Sequence, residues 1–212
     1  MSLLWLPTRY LITPEPEPDP VGAGTRDGQP ETLPEALFEP FLERLAAALA
    51  RGIRLVQLRA KTLEPHAYTR LAEASASLCR QHQAHLILNG PALSCTGTVM
   101  ESSGAAGLHL SSAHLMACRT RPVPATCWLS AACHTSAELA QAERLGATFV
   151  TLSPVLATAS HPDTPPLGWE AFAAMAARAN VPVFALGGMT PEHLAWARAQ
   201  GAHGIAAIRG LW

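Results

Sequence analysis

Charge and aromatic residues are scarce in this chain, and several common signatures are missing. Asp, Glu, Lys and Arg make up 15% of its 212 residues, and the formal net charge is −1. That balance gives no long-range attraction to nucleic acid or to an anionic membrane, so neither is expected as a partner. No uninterrupted apolar run approaches the roughly 20 residues that a bilayer span needs. The opening stretch, MSLLWLPTRY, lacks the basic and apolar segments of a secretory signal, and the expected location is the cytoplasm. Cysteine is sparse. Cys79, Cys95, Cys118, Cys127 and Cys133 are odd in number and lack CxxC spacing. They read as reduced thiols, not as a disulfide frame or a zinc site. No GxGxxG follows the first apolar run, which argues against a doubly wound dinucleotide fold. The tryptophans Trp5, Trp128, Trp169, Trp196 and Trp212 are too scattered for a base-stacking platform.

What the chain has instead is a repeating order of short apolar runs and helical stretches. Strands are expected at Arg9–Thr13, Ile53–Arg59, His85–Asn89, Ala105–Leu110, Thr126–Ala132, Thr148–Leu152, Val181–Leu186 and His203–Ile208. Helix is expected from near Glu35, where Leu37, Phe41, Leu45 and Leu49 recur every four residues and Gly52 stops the run. Further helices are expected from Pro65 to Gln81, after a cap at Thr135 or Ser136 with Glu138 in the first turn, over Trp169–Ala179, and over Pro191–Gln200. Eight β-strands alternating with helices predict one domain over residues 1–212, a TIM (β/α)₈ barrel with its active site at the carboxyl ends of the strands. Residues 14–33, rich in Pro, Gly and acid, are expected to be a loop within that domain. After the eighth strand only Arg209, Gly210, Leu211 and Trp212 remain, so the final helix is expected to be truncated. The outer faces of the first and last strands, with Ile12 and Ile205, then need other cover. Leu3, Leu4, Trp5, Leu6, the Pro-rich loop, Trp212 or a second subunit could supply it.

The expected strand ends carry a ring of donors and cations. Gln57, Arg59 and Lys61 follow the second strand and Asn89 the third; Ser111, Ser112 and His114 follow the fourth. Cys133 and His134 follow the fifth, and Ser153, Thr158, Ser160 and His161 the sixth. No carboxylate joins them before Asp163. Such a rim suits a phosphorylated ligand and not Mg²⁺, which wants carboxylates. Gly187-Gly188 after the seventh strand and Ala207-Ile208-Arg209 after the eighth form the paired late loops with which such barrels hold phosphate. Arg59 and Lys61 alternate with Ala60, so both face one side. His134 carries an imidazole, a group that can both take and give a proton. Cys133 reads as a packed thiol and His109 as a core histidine. His66, His82, His85, His193 and His203 read as surface or packing residues.

The segments VQLRAK, LILNG, GLHLS, ACHT, FVTLSPV, ALGGMTPEHL and GAHGIAAI fall in order along nearly the whole chain and resemble the thiamin phosphate synthase superfamily. The resemblance implies a (β/α)₈ barrel of thiamin biosynthesis. The superfamily includes the synthase, which joins a pyrimidine pyrophosphate to thiazole phosphate, and a thiazole tautomerase. Arg59 and Lys61 match the synthase pattern. Its Asp after strand three is Gly90 here, its Asp after strand four is His114, and its lysine after strand six is His161. The Asn-Gly after strand three and Gly-Gly-Met-Thr-Pro after strand seven resemble the tautomerase. The expectation is therefore a metal-independent isomerase with His134 as acid and base. Its substrate phosphate would rest on Gly187, Gly188, Ala207, Ile208 and Arg209, and Gln57, Arg59, Lys61, Asn89, Ser153 and Thr158 would contact substrate. The alternatives are a synthase, with Mg²⁺ as its only cofactor, and a non-catalytic barrel that binds a phosphorylated thiazole or thiamin phosphate. The family's habit of pairing barrels implies a homodimer.

Overall fold

The structure, a computed structural model, describes residues 6–16, 33–90, 93–158 and 165–212. Eight strands run in chain order: β1 (Arg9–Ile12), β2 (Leu55–Arg59), β3 (His85–Asn89), β4 (Gly107–Leu110), β5 (Trp128–Cys133), β6 (Phe149–Leu152), β7 (Val183–Leu186) and β8 (Gly204–Ala207). Each pairs in parallel with the next, and β1 pairs with β8, which closes the barrel. The helices are α1 (Leu33–Ala50), α2 (Pro65–Gln81), α3 (Leu93–Ser103), α4 (Ser112–Ala117), α5 (Ser136–Arg144), α6 (Gly168–Ala176) and α7 (Leu194–Ala199), the last entered through a 3₁₀ turn at Pro191–His193. The expected TIM barrel is therefore present. Most of the expected strands are one or two residues too long, because apolar loop residues extend the pattern. Helices α3 and α4 were not legible as separate helices. Leu93–Ser103 is rich in Ser and Thr, which favour turns as readily as helix. The part of the Pro-rich stretch from 17 to 32 lies outside the described residues, as do Leu3, Leu4 and Trp5.

A two-residue alternation sorts every strand. Leu11, Val56, Leu58, Leu86, Leu88, Leu108, Leu129, Val150, Val183 and Ile205 point outward into the large core shared with the helices, where Phe41, Leu45 and Leu49 of α1 also lie. Tyr10, Ile12, Leu55, Ile87, Phe149, Phe184 and Ala206 point inward. Ile12 thus corrects the expectation that it lies on the outer face. It sits two residues after the inward Tyr10 and shares its side.

Inside the barrel, the rings of Tyr10, Phe149 and Phe184 meet with centroids 5.2–5.6 Å apart. Each such contact adds about 0.5–1.5 kcal/mol beyond area burial. This plug fills the barrel below and leaves its carboxyl end open.

No helix follows β8 in residues 208–212. Leu211 is buried instead, and Trp212 packs on Phe41 with ring centroids 5.0 Å apart. Arg51 of the α1–β2 turn donates to the Leu211 carbonyl at 3.2 Å. Of the candidates for covering this gap, Trp212 is the one seen to fold back.

Candidate active site

Above the aromatic plug lies a cavity of about 830 Å³. Gln57, Arg59, Lys61, Asn89, His134, Ser153, Thr158, Gly187, Gly188, Ala207, Ile208 and Arg209 all line it. The topology explains the convergence. In a closed parallel barrel, every βα loop opens on the same end, and the inward residue nearest each strand's carboxyl end faces the same space. His114 corrects the rim expected after the fourth strand. It is an exposed residue of α4, its N–H held by the Ser111 cap at 3.4 Å, and it does not reach the cavity wall. Cys133 faces outward. Burial first, and then the charge of Glu138, pushes its thiol up to about 12, so it is an inert packed group. Ser160 and His161 lie outside the described residues.

The phosphate-type end is built on β7 and β8. Gly187 and Gly188 have φ of 101° and 68°, a region that side chains rarely adopt. A Cβ on Gly187 would come within 2.8 Å of Pro154, and one on Gly188 within 2.9 Å of Leu156. The glycines therefore let the β6–α6 loop close against β7, and Val155 N–H donates to the Leu186 carbonyl at 2.8 Å. Gly188 and Arg209 are exposed, and their N–H groups donate to no carbonyl among the described residues. Two open amides beside the Arg209 guanidinium suit an anion.

A second cationic position lies at the end of β2, on the other side of β1. It holds Arg59 and Lys61, the chain's only lysine. Arg59 is not free. Its Nη1 donates to Glu15 at 2.7 Å, and the other oxygen of Glu15 accepts from the Thr62 N–H and hydroxyl at 2.7 and 2.8 Å. Lys61 is held below the usual lysine range by burial and by the charge of Arg59, against a smaller opposing effect of Glu15. Glu15 was not foreseen. It stands in a proline-rich run that reads as loop, and only barrel closure brings that loop beside β2.

His134 projects from the turn between β5 and α5. Its Nδ1 lies 2.8 Å from the Ser153 carbonyl. A proton on Nδ1 is bonded there, and Nε2 is left with a lone pair. The turn is fixed by Glu138, whose carboxylate accepts from the N–H groups of His134 (2.6 Å) and Thr135 (2.9 Å) and from the hydroxyl of Ser112. Thr135 caps α5 and completes a capping box with Glu138, as the sequence led one to expect. Burial raises the Glu138 carboxyl, but the donors Ser112, His134 and Thr135 outweigh it and hold the group below the usual range.

At the floor stand residues that strand alternation could have revealed. Tyr10, Ser130 and Thr151 are inward positions of β1, β5 and β6, and all are fully buried. His109 is buried, as expected, yet it also lines the cavity. Among the described residues, neither Asp nor Glu lines the cavity, and no three His, Cys, Asp or Glu side chains are grouped to hold a metal. The described part of the wall therefore offers no carboxylate to a protein-held Mg²⁺.

Comparison with known proteins agrees with this architecture. The profile of the family described as thiamine monophosphate synthase matches residues 32–211. The chain is 33% identical to the putative thiamine-phosphate synthase 2 of Aquifex aeolicus over 80% of this chain and 89% of that protein. It is 34% identical to the putative thiamine-phosphate synthase of Geobacter sulfurreducens over 81% and 79% of the two chains. In structure it resembles the thiamine phosphate pyrophosphorylase of Pyrococcus furiosus, with a TM-score of 0.67 and 19% identity over 95% of this chain and 85% of that one. The chain belongs to the thiamine monophosphate synthase family.

Proposed function

We propose that the protein is a transferase of thiamin biosynthesis that joins a pyrimidine pyrophosphate to thiazole phosphate. One observation carries the reading. A single cavity holds two separate cationic positions, Arg209 with the Gly187–Gly188 loop on one side of β1 and Arg59 with Lys61 on the other. A monophosphate needs only the first, and a second position with two cations suits a pyrophosphate better than the single carboxylate of a thiazole carboxylate phosphate. The names of the relatives point the same way. In this reading the thiazole phosphate rests on the Gly188 and Arg209 amides, with Ala207 and Ile208 shaping that loop. Gln57, Asn89, Ser153 and Thr158 orient the rings. As the new bond to the thiazole forms, the bond to pyrophosphate breaks and negative charge grows on the leaving group. Lys61 and Arg59 stand where that charge develops. Because the described residues of the wall include no carboxylate, any divalent cation would arrive on the pyrophosphate as part of the substrate.

The expectation of a thiazole tautomerase becomes the second reading. The absence of carboxylate among the described residues of the cavity wall favours it, together with the Nε2 lone pair of His134. Incubation with pyrimidine pyrophosphate and thiazole phosphate, with and without Mg²⁺, tests the first reading; no thiamin phosphate above background overturns it. Turnover of the thiazole carboxylate phosphate tautomer, lost in His134→Ala, would establish the second instead. Binding of thiamin phosphate with no turnover in either assay would leave a non-catalytic barrel. A cytoplasmic homodimer completes the proposal. Trp212 already covers part of the open face, so a partner would add to that cover. Light scattering at micromolar concentration should give twice the chain mass of 22.4 kDa, and a monomer refutes the pairing.

A further inference from the structure

We propose that the amino end of the barrel carries a second binding site, for a small organic anion with a flat apolar body, held by Arg54, Arg80 and Gln83. At the opposite end of the barrel from the active-site cavity, and sharing no residue with it, lies a second cavity of about 810 Å³. It opens among the starts of the strands. Leu6 and Pro7 precede β1, Arg54 precedes β2, His85 begins β3 and Ala106 precedes β4. Leu6, Pro7, Ala84, Leu86 and Ala106 give it apolar lining. No described carboxylate lines it, and neither arginine is ion-paired among the described residues.

Both guanidiniums are fixed in advance. Arg54 Nη1 donates to the carbonyls of Leu49 and Ile53, each at 2.8 Å. Arg80 Nη1 donates to the Ser103 carbonyl at 2.8 Å, and Gly104 leaves it room, since a Cβ there would stand 3.4 Å from the same nitrogen. These bonds use one nitrogen of each group. Among the described residues Nε and Nη2 of both donate to nothing, so two positioned cations keep donors for a carboxylate or phosphate.

The backbone at Gln83 is an independent sign. Its φ is 54°, and it is the one residue other than glycine with a positive φ among the described residues. The turns into β2, β4, β6 and β8 use glycine for that conformation, at Gly52, Gly104, Gly146 and Gly201. Glycine would be the unstrained choice in the turn into β3 as well. That turn instead holds an amide side chain at the cavity, and backbone strain of this kind clusters at ligand sites. The site binds and does not react. Burial pushes the Cys79 thiol up to about 12, so it offers no nucleophile. His85 adds a ring face and no charge: burial holds it below the usual histidine range, and its ring lies against that of Trp128 with centroids 4.5 Å apart.

Phenyl phosphate, benzoate and inorganic phosphate, titrated into the ¹⁵N-labelled full chain, make the test. The amides of Gln83, Ala84 and Ala106 report this site, and those of Gly188 and Arg209 report the active-site cavity, so the outcome does not depend on the proposed reaction. Phenyl phosphate should shift the first group with a dissociation constant of about 1 mM or tighter, and inorganic phosphate should bind there roughly tenfold more weakly for want of an apolar body. Either order of benzoate and phenyl phosphate supports the site and names its anion. Arg54→Gln and Arg80→Gln should each weaken binding at this site by roughly fivefold and leave the active-site shifts in place. Both arginines also hold helix ends, so Gln83→Gly supplies a check that spares them. It relieves the turn and should melt no lower than the parent, yet bind phenyl phosphate roughly threefold more weakly. Shifts confined to Gly188 and Arg209, equal binding of phenyl and inorganic phosphate at the lower site, or an affinity unchanged in all three variants overturns the proposal.

Discussion

Replacing Glu138 should unfasten the His134 turn. Residue Glu138 is 8% exposed, and its carboxylate accepts from the N–H groups of His134 and Thr135 and from the Ser112 and Thr135 hydroxyls. Glu138→Ala breaks the capping box, worth about 1 kcal/mol. It also leaves the His134 N–H and the Ser112 hydroxyl without the charged acceptor, at about 1–2 kcal/mol together when allowance is made for water reaching the rim. The total is about 2–3 kcal/mol. At about 2–4 °C per kcal/mol for a chain of this size, Tm should fall by roughly 4–12 °C. Glu138→Gln keeps one acceptor oxygen for the His134 and Thr135 N–H groups and turns the other into an NH₂ from which the Ser112 hydroxyl can accept, so it loses the charge but keeps most of the bonds, and its fall should be about a third of that. The pH dependence has a definite sign. Donors hold the folded-state pKa of Glu138 below its unfolded value of about 4.3. The charge's contribution is therefore complete above that value and is lost as pH falls through the folded pKa. The Tm gap between parent and Glu138→Gln should be full at neutral pH and shrink once the solution is more acidic than about pH 4. Circular dichroism melts of the three proteins at several pH values make the measurement. A Glu138→Ala Tm within 1–2 °C of the parent's, roughly 0.5 kcal/mol, or a gap to Glu138→Gln that persists undiminished in acid, would refute the reasoning.

Three further outcomes follow from the structure. Gly188→Ala puts a Cβ 2.9 Å from Leu156 at a φ of 68°. It should cost about 1–2 kcal/mol of stability and weaken phosphate binding at least tenfold by calorimetry; normal affinity would exclude that loop as the phosphate site. Glu15→Gln removes the carboxylate that occupies Arg59 and should tighten inorganic pyrophosphate binding by several-fold, as a rim charge is worth about 0–1 kcal/mol; unchanged or weaker binding would show that Glu15 does not compete for Arg59. Trp212→Ala uncovers Phe41 and should cost about 2 kcal/mol, below the ~3–5 of a fully buried tryptophan because Trp212 is only partly buried; a thermal unfolding curve that superimposes on the parent's would mean that the tail does not close the barrel wall.

By itself the sequence determined the barrel and most of the cavity wall. Both are written in short-range patterns. Eight apolar runs separated by helical stretches leave few topologies, and a strand's two-residue period says which of Gln57, Arg59 and Asn89 share a side. The Thr135–Glu138 capping box and the Gly187–Gly188 turn are equally local. Only the tertiary structure decided which distant groups meet. Pairing of β1 with both β2 and β8 brings Glu15 to Arg59, and Tyr10 to Gln57. It also turns Ile12 inward, because the face of a strand is fixed by its register with its neighbours. Packing of α4 against α5 brings Ser112 to Glu138, so a helix cap becomes the brace of the His134 turn. Trp212 finds Phe41 only because α1 lies beside the place where β8 ends. Hydrogen bonds and ion pairs between residues far apart in the chain leave no periodic trace, since each needs just one donor and one acceptor brought within about 3 Å by closure of the barrel.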